Sequence, residues 1–433
     1  MNNRTRFLIL LIALLIFRII YGLFSEFWLE DELQVYLIGL KSFTTNTWPY
    51  YGPDVVYRNS QIPGALQGLL VSLPLYLLKI PESPIILINL ISFASLAFFA
   101  YYVTKRVDGI PKWIVWTWLM TSPWTLYYST RVVNPSYVII FSIPFFISIL
   151  EILPIYRMQI INKRIAFLII GTATTLIMQL HMSWVLLMPF TFLAFAYCLK
   201  EKITSLIKYL IFYFSGLFLG ALTLIPTLIN PALNSGNVES TIEINFHNIT
   251  NLVIILFRFL SFASFEIIFI LGGSTAGRLS VVKDQLWMTP VVLFLLLAGF
   301  AQIALFIWAF FKNNASEEWK KIKWFTFLSF ILIFLSFFFS IKGPSSHTFI
   351  IMLPVAMLYS FYCYQWLIQK NRIWLKILKI AIICGIIFHI GMDMHNYKTI
   401  SLYKNRKHVQ EAIDKRDYKI LGSRRSEHWG YGY

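Results

Sequence analysis

Three consecutive carboxylates, Glu30, Asp31 and Glu32, follow the first long apolar run of a chain that has only 20 Asp and Glu among 433 residues. A carboxylate beside the hydrocarbon boundary loses hydration and is repelled by anionic head groups, so its presence there needs a reason. One reason is chemistry, since partial desolvation raises the pKa of a carboxylate and makes it a better base. The other is structural, because acids at the start of a helix running to about Lys41 complement its positive end. The two interpretations are compatible.

The composition places the chain in a membrane. It is 58% hydrophobic and 18% aromatic, with only 13% charged residues, which is too apolar for a soluble protein of this size. Its net charge of +17 does not indicate nucleic-acid binding, because the cations punctuate apolar runs at regular intervals and report topology instead. Three scattered cysteines, Cys198, Cys363 and Cys384, predict neither a disulfide framework nor a zinc site.

Eleven apolar stretches have about the length that crosses a bilayer. The sequence therefore predicts an all-α, polytopic membrane protein. The predicted spans are 7–25, 84–104, 112–129, 135–151, 165–183, 184–199, 208–229, 288–311, 324–341, 347–367 and 374–391.

Positive charge in the connections gives the orientation. The basic N-terminus, without a small-residue cleavage site after it, is typical of a retained signal anchor. The basic connections fall on one side, which the positive-inside rule makes cytoplasmic. They include Arg4 and Arg6, Lys105 and Arg106, and the cluster Lys320, Lys321 and Lys323. The long loops 26–83 and 230–287 are then expected outside.

Two apolar segments are not counted as spans. Ile62–Leu78 is broken by Pro63, Gly64, Gly68 and Pro74, and is expected to lie at the membrane interface. Ile249–Leu271 is placed there too, because it holds charged side chains near its middle. We divide the chain into a module 1–229, a second outer loop 230–287, C-terminal helices 288–391 and a basic tail 392–433. An odd number of spans puts the tail outside, whereas its cations favour the inside; we expect it outside.

Several motifs together resemble the GT-C superfamily of glycosyltransferases that use polyprenol-linked sugars, in particular the protein O-mannosyltransferase and aminoarabinose transferase branch. The resemblance covers about 5–200 and, more loosely, 288–367. It rests on the Asp-Glu pair followed by an aromatic residue, on the position before a Pro motif in the first loop, on a second-loop Arg, and on a basic-to-Leu-Pro stretch before a late span. In this chain these are Asp31-Glu32 with Tyr36, Gln61-Ile62-Pro63-Gly64, Ser129 to Pro135, and Lys342-Gly343-Pro344 through Met352-Leu353-Pro354.

Two positions depart from the family pattern. Asn134 stands near the position where many relatives have an acid, so we expect chemistry without a metal or other cofactor. Gln61 stands where relatives commonly have a basic residue before Pro-Pro, which leaves Arg58 as a substitute.

The resemblance implies transfer of a sugar from a polyprenyl phosphate to a lipid, glycan or protein acceptor on the extracytoplasmic face, with inversion, in the cytoplasmic membrane. Nucleotide sugars stay in the cytosol, which also favours a lipid-borne donor. Asp31 is the candidate base, and Glu32 orients it or binds the sugar. Arginine and lysine side chains bind phosphate well, so the cations expected on the outer side are candidate ligands of the lipid phosphate. Polar residues near them are further candidates. The predicted ligands are Arg58, Gln61, Arg131, Asn134, His181, Arg258 and Lys342.

Each assignment has a structural alternative. Arg131 could snorkel at a helix end, and a lone His181 is more often a packing residue. Tyr36 and Tyr51 could stack on sugar rings, but aromatic side chains crowd every membrane interface. At the level of the whole chain, the alternatives are a flippase or transporter of lipid-linked sugars, and a non-catalytic envelope-assembly protein.

Overall fold

The computed structural model describes residues 2–26, 30–54, 61–156, 158–229, 244–312, 316–340, 343–399 and 401–421. These parts of the chain are almost entirely helical, as predicted. The α-helices are α1 (Asn3–Ser25), α2 (Glu30–Thr45), α3 (Leu66–Leu77), α4 (Ser83–Arg106), α5 (Lys112–Thr121), α6 (Pro123–Tyr127), α7 (Asn134–Ile152), α8 (Lys163–Met178), α9 (Met188–Cys198), α10 (Ile203–Ala221), α11 (Ile225–Ile229), α12 (Leu252–Ser261), α13 (Thr275–Asp284), α14 (Thr289–Phe310), α15 (Glu317–Phe337), α16 (Ser346–Phe349), α17 (Leu353–Lys370), α18 (Ile373–Thr399) and α19 (Leu402–Asp414).

Prolines set many of the helix starts. A proline has no backbone N–H to leave unsatisfied and its φ already suits a helix, so it favours the first turn. The first turns of α4, α6, α7, α14 and α17 each contain one. In a bilayer the remaining backbone groups must be satisfied inside each helix, which is why apolar runs between these starts are helical throughout.

Seven helical segments in the described residues are long and apolar enough to cross a membrane. They are Arg4–Ser25, Ser83–Arg106, Asn134–Ile152, Ile203–Ala221, Leu286–Phe310, Ser346–Lys370 and Ile373–Thr399. The other four predicted spans are helical but differ from this standard. The span at 112–129 is broken into α5 and α6 at Ser122, α8 and the segment Met182–Cys198 are shorter, and α15 begins with a cluster of charges.

The two segments left out of the span count are short helices. Ile62–Leu78 contains α3, and Ile249–Leu271 contains α12 followed by irregular chain. The first outer loop also forms a β-hairpin that the sequence did not indicate, β1 (Tyr51–Asp54) paired antiparallel with β2 (Gln61–Pro63).

Glycines bring α8 and α10 into backbone contact. Gly216 and Gly220 have the small-xxx-small spacing that lets two helices approach closely. A Cβ at Gly216 would collide with the carbonyl oxygen of Leu168, and one at Gly171 with that of Tyr213. The outer end of this pair anchors the hairpin of the first loop.

The anchor is Gln179, just after α8. Its amide nitrogen donates to Gly220 O (2.8 Å), and its oxygen accepts from Thr223 Oγ1 (2.8 Å). Gly64, whose φ is +105°, passes so close to the Gln179 side chain that a Cβ there would clash with it. Ala65 N then donates to Thr223 O at 3.3 Å.

The tail helix α19 lies on the first outer loop. Val409 and Ile413 pack into a hydrophobic cluster with Val35, Leu40 and Val71 from α2 and α3. The tail is therefore on the same side as the first loop, as an odd number of spans predicts.

One ion pair and two hydrogen bonds to main-chain carbonyl oxygens hold α19 in place. Arg406 Nε is 2.5 Å from Glu82 Oε1, before α4, and Gln410 Nε2 donates to Lys79 O at 3.0 Å. Leu402 N donates to the carbonyl oxygen of Glu26 at 3.2 Å, so the tail reaches the end of α1.

Candidate functional site

The acidic cluster begins a helix, as predicted. α2 starts at Glu30, and within its first turn Asp31 is exposed whereas Glu32 is buried. Glu32 points toward Arg131, whose Nη1 lies 3.8 Å from Glu32 Oε1. Burial raises the pKa of Glu32, while the charge of Arg131 opposes that rise. The loop after α1 and the connection between α6 and α7 therefore meet at this pair.

Arg131 is buried although it sits in a short irregular segment between α6 and α7. Its guanidinium lies over the ring of Tyr127 at 3.8 Å, and its Nε donates to Tyr127 O at 3.1 Å. Stacking on an aromatic face and a nearby carboxylate both stabilise a planar cation out of water.

A narrow cleft, with an empty volume of about 180 Å³ and no space wide enough for a water molecule, lies at Arg131 between the ends of α1 and α18. Its lining consists of Tyr21, Ser25, Tyr127, Arg131, Ile270, Met392 and Asn396. Hydroxyl, amide and guanidinium groups thus converge in a mostly apolar setting. These polar groups suit an anionic head group, which can enter only when the lining side chains move apart.

The last span contributes a buried carboxylate beside this cleft. Asp393 Oδ1 accepts a hydrogen bond from Ser25 Oγ at 2.5 Å, and Asn396 Nδ2 donates to the same hydroxyl at 3.4 Å. α1 and α18, at opposite ends of the chain, are joined here.

Glu26 is a third carboxylate near Arg131. It is buried, and both of its oxygens accept from Val132 N, at 3.0 and 3.2 Å. Burial, and next the charge of Glu32, raises the pKa of Glu26 to about 8.

Several predicted ligands lie elsewhere. His181 caps the helical turn that follows it, where its Nδ1 accepts from Ser183 N at 3.1 Å and lies 2.9 Å from Ser183 Oγ. Arg258, on α12, lies 3.6 Å from Glu266 and 5.2 Å from the ring of Phe269. Neither side chain lines the cleft, and Arg258 has a carboxylate partner of its own.

The remaining predicted residues are scattered. Gln61 begins β2 and is half-buried, like Tyr51 on β1 and Asn134 at the start of α7. Tyr36 is buried in the hydrophobic cluster beneath α19, and its hydroxyl donates to Pro81 O at 2.9 Å, a position that does not favour stacking on a sugar. Arg58 and Lys342 lie outside the described residues.

Comparison with known proteins identifies the fold. No family model matches the chain, and no curated protein matches its sequence. Among solved structures, apo ArnT from Cupriavidus metallidurans superimposes with a TM-score of 0.51 and 9% identity, over 96% of this chain and 78% of that one.

The chain has the GT-C fold. At this identity the likeness shows the fold alone. A second structure, ArnT from the same organism bound to undecaprenyl phosphate, gives a TM-score of 0.49 at 10% identity, covering 96% of this chain and 79% of that one. This fold is the one that the sequence motifs predicted.

Sequence reasoning missed Arg18, which donates to Ser129, and three residues in or beside the cleft. Arg18 is the only charged residue in the first apolar run, and a lone charge inside a span is a signal of function that was available. Ser25, Asp393 and Asn396 gave no such signal, because nothing in the sequence says that the last span packs against the first.

Proposed function

We propose that this chain is an integral-membrane glycosyltransferase that moves a sugar from a polyprenyl phosphate to an acceptor on the extracytoplasmic face, with inversion. The observation that carries the proposal is the buried Arg131 in a cleft between α1 and α18, with Glu32 at 3.8 Å and the exposed Asp31 beside it on α2. The GT-C fold supports the same class of reaction. A base and a phosphate-binding cation are the two groups that such a transfer needs.

In the proposed reaction Asp31 accepts the proton of the acceptor hydroxyl. The acceptor oxygen forms a bond to the anomeric carbon as the bond from that carbon to the phosphate oxygen breaks. The lipid phosphate leaves with one more negative charge, which Arg131 stabilises. Glu32 orients the guanidinium. A single displacement of this kind inverts the anomeric centre.

Metal independence is part of the proposal. In the described ranges, no three His, Cys, Asp or Glu side chains lie close enough together to hold a metal ion. The sequence supports this through Asn134, which stands near the position where many relatives have an acid. Adding a chelator should leave the rate of transfer unchanged, and a rate restored only by divalent ions would contradict this part.

The orientation is also proposed. The basic connections favour a cytoplasmic N-terminus, with the protein in the inner membrane and the cleft on the extracytoplasmic side. The cleft, the loop after α1 and the tail helix lie at the same end of the spans, so one orientation applies to all three. The acceptor is a lipid, a glycan or a protein segment.

The test follows release of free lipid phosphate from purified protein given polyprenyl-phosphate sugars and candidate acceptors. We expect release by the wild type, and a loss of at least about 100-fold in Asp31→Asn, the usual scale for removing a general base. Asp108→Asn, an exposed acid at the opposite end of the spans, is the matched control and should retain full activity. Absence of release from every donor would favour the flippase, and an unaffected Asp31→Asn variant would remove Asp31 as the base.

A further inference from the structure

Arg18 binds the segment that carries Arg131. It lies on α1, is fully buried, and takes part in none of the ion pairs within the described residues. Its guanidinium donates to Ser129 Oγ (2.7 Å) and Ser129 O (3.2 Å), and also to Met120 O and Ser92 Oγ. Burying a guanidinium in an apolar helix is costly unless hydrogen bonds replace its hydration. Here the replacement fixes the start of the segment 129–132.

Two more buried side chains fix the rest of that segment. Asn89 Nδ2, on α4, donates to Thr130 O at 3.0 Å. Both oxygens of the Glu26 carboxylate accept a hydrogen bond from Val132 N. Gly22 allows α1 to approach closely, because a Cβ there would lie 2.6 Å from Thr130 O.

The backbone on each side of Arg131 is therefore held by groups that do not line the cleft themselves. The side chain between them lies on Tyr127 and faces Glu32. We propose that Arg18, Asn89 and Glu26 are positioning residues, which hold the segment 129–132 so that Arg131 is presented to the phosphate in the cleft. This inference rests on the proposed function, because it gives Arg131 a phosphate to bind.

A purely structural role would give a different result. If these residues only join helices, their loss lowers stability and its effect on transfer adds to that of losing Arg131. If they act through Arg131, their loss has little further effect once Arg131 is gone.

The experiment is a double-mutant cycle on kcat/KM for release of lipid phosphate. We expect Glu26→Ala to lose on the order of 100-fold, the scale of a misplaced binding group, and Glu26→Gln to retain more because it keeps one acceptor. In an Arg131→Ala background, adding Glu26→Ala should lower kcat/KM by less than about twofold. Arg18→Gln and Asn89→Ala, each combined with Arg131→Ala, provide two further cycles, and Asn89→Ala still tests the proposal should Arg18→Gln fail to fold. Effects that simply multiply would overturn the proposal.

The matched control is Glu151→Gln. Glu151 is also a buried glutamate that accepts from backbone amides, those of Ile160 and Ile161, and it pairs with Arg106. It belongs to the other end of the spans. Its loss should lower the melting temperature without a change in the KM for the donor.

Hydrogen exchange separates this inference from the proposed function. Peptides covering 128–134 should exchange faster in Glu26→Ala than in the wild type, and at an unchanged rate in Glu151→Gln. Unchanged exchange in Glu26→Ala overturns the holding role whatever the activity. If the wild type releases no lipid phosphate, the proposed function fails, while faster exchange would still support the hold on the segment.

Discussion

At the residue scale, the shape of the Arg131 side chain matters as much as its charge. A guanidinium presents a flat face to an aromatic ring and paired donors to an anion, whereas an ammonium is a compact point charge. Arg131 uses the flat face against Tyr127 and turns its edge toward Glu32. The arrangement leaves the orientation of the donors fixed before any substrate arrives.

Arg131→Lys should therefore behave as a severe substitution. We expect the rate of transfer to fall on the order of 100-fold, because lysine lacks the paired N–H donors that stabilise the leaving phosphate. The same conservative change at the exposed Arg164, at the other end of the spans, should have no effect. The measurement is kcat/KM for lipid-phosphate release, and near-normal activity of Arg131→Lys would show that charge alone suffices.

Glu26 gives a prediction about pH. Its pKa is raised from 4.5 to about 8 by burial and by the charge of Glu32, with Arg131 acting in the opposite direction. Between these two pH values the folded chain keeps a proton that the unfolded chain has released, so this group makes the protein less stable as the pH rises. Glu26→Gln removes the effect.

Thermal unfolding of purified protein at pH 5 and pH 8 measures it. The stability of the wild type relative to Glu26→Gln should decrease across that interval. A difference that is constant or increases would contradict the raised pKa.

The residues in and around the cleft show what the sequence can and cannot predict. Asp31, Glu32 and Arg131 were accessible, because two motifs and an unusual acidic run pointed to them. Glu26 was not, since a single acid at a helix end has many ordinary explanations. Asp393 depends on a contact between residues 368 positions apart in the chain, which no local pattern encodes.

At the element scale, the tail helix α19 is part of the structure that holds α2. Its apolar face covers Val35 and Leu40 of the helix that carries Asp31 and Glu32, and its first residue binds the Glu26 carbonyl. The sequence indicated only a basic tail and not the surface on which its helix docks.

Val409→Asp tests that role. It places a charge without a partner in the cluster between α19 and α2, which should cost about 3 kcal/mol or more of stability and loosen α2. Lys407→Asp, on the exposed face of the same helix, is the control. Melting temperature and transfer should both fall for the first variant alone, and equal values for the two variants would show that α19 does not support α2.

At the scale of the whole molecule, the order of apolar runs and cations predicted an all-α membrane protein, and the described structure confirms the class. The number of crossings was harder to obtain, because α8 and the segment Met182–Cys198 are close to the limit of length and α15 begins with charges. The hairpin β1–β2 was missed because its strands are only four and three residues long.

Sidedness is a prediction for the intact cell. Single cysteines introduced as Asp108→Cys and Asp414→Cys lie at opposite ends of the spans, in a background where Cys198, Cys363 and Cys384 are replaced by serine. A membrane-impermeant maleimide should label position 414 and not position 108. The reverse labelling pattern would show the opposite orientation, with the cleft facing the cytosol.

The glycine contact between α8 and α10 has a consequence for how a long substrate reaches the cleft. Two helices whose backbones touch leave no seam wide enough for an acyl or isoprenoid chain, and Gln179 ties their outer ends together. A lipid tail therefore cannot pass between α8 and α10. If the chain acts on a lipid-borne sugar as proposed, the carrier enters along another flank of the molecule. A bulkier side chain at Gly216 would separate α8 from α10 without widening that entrance.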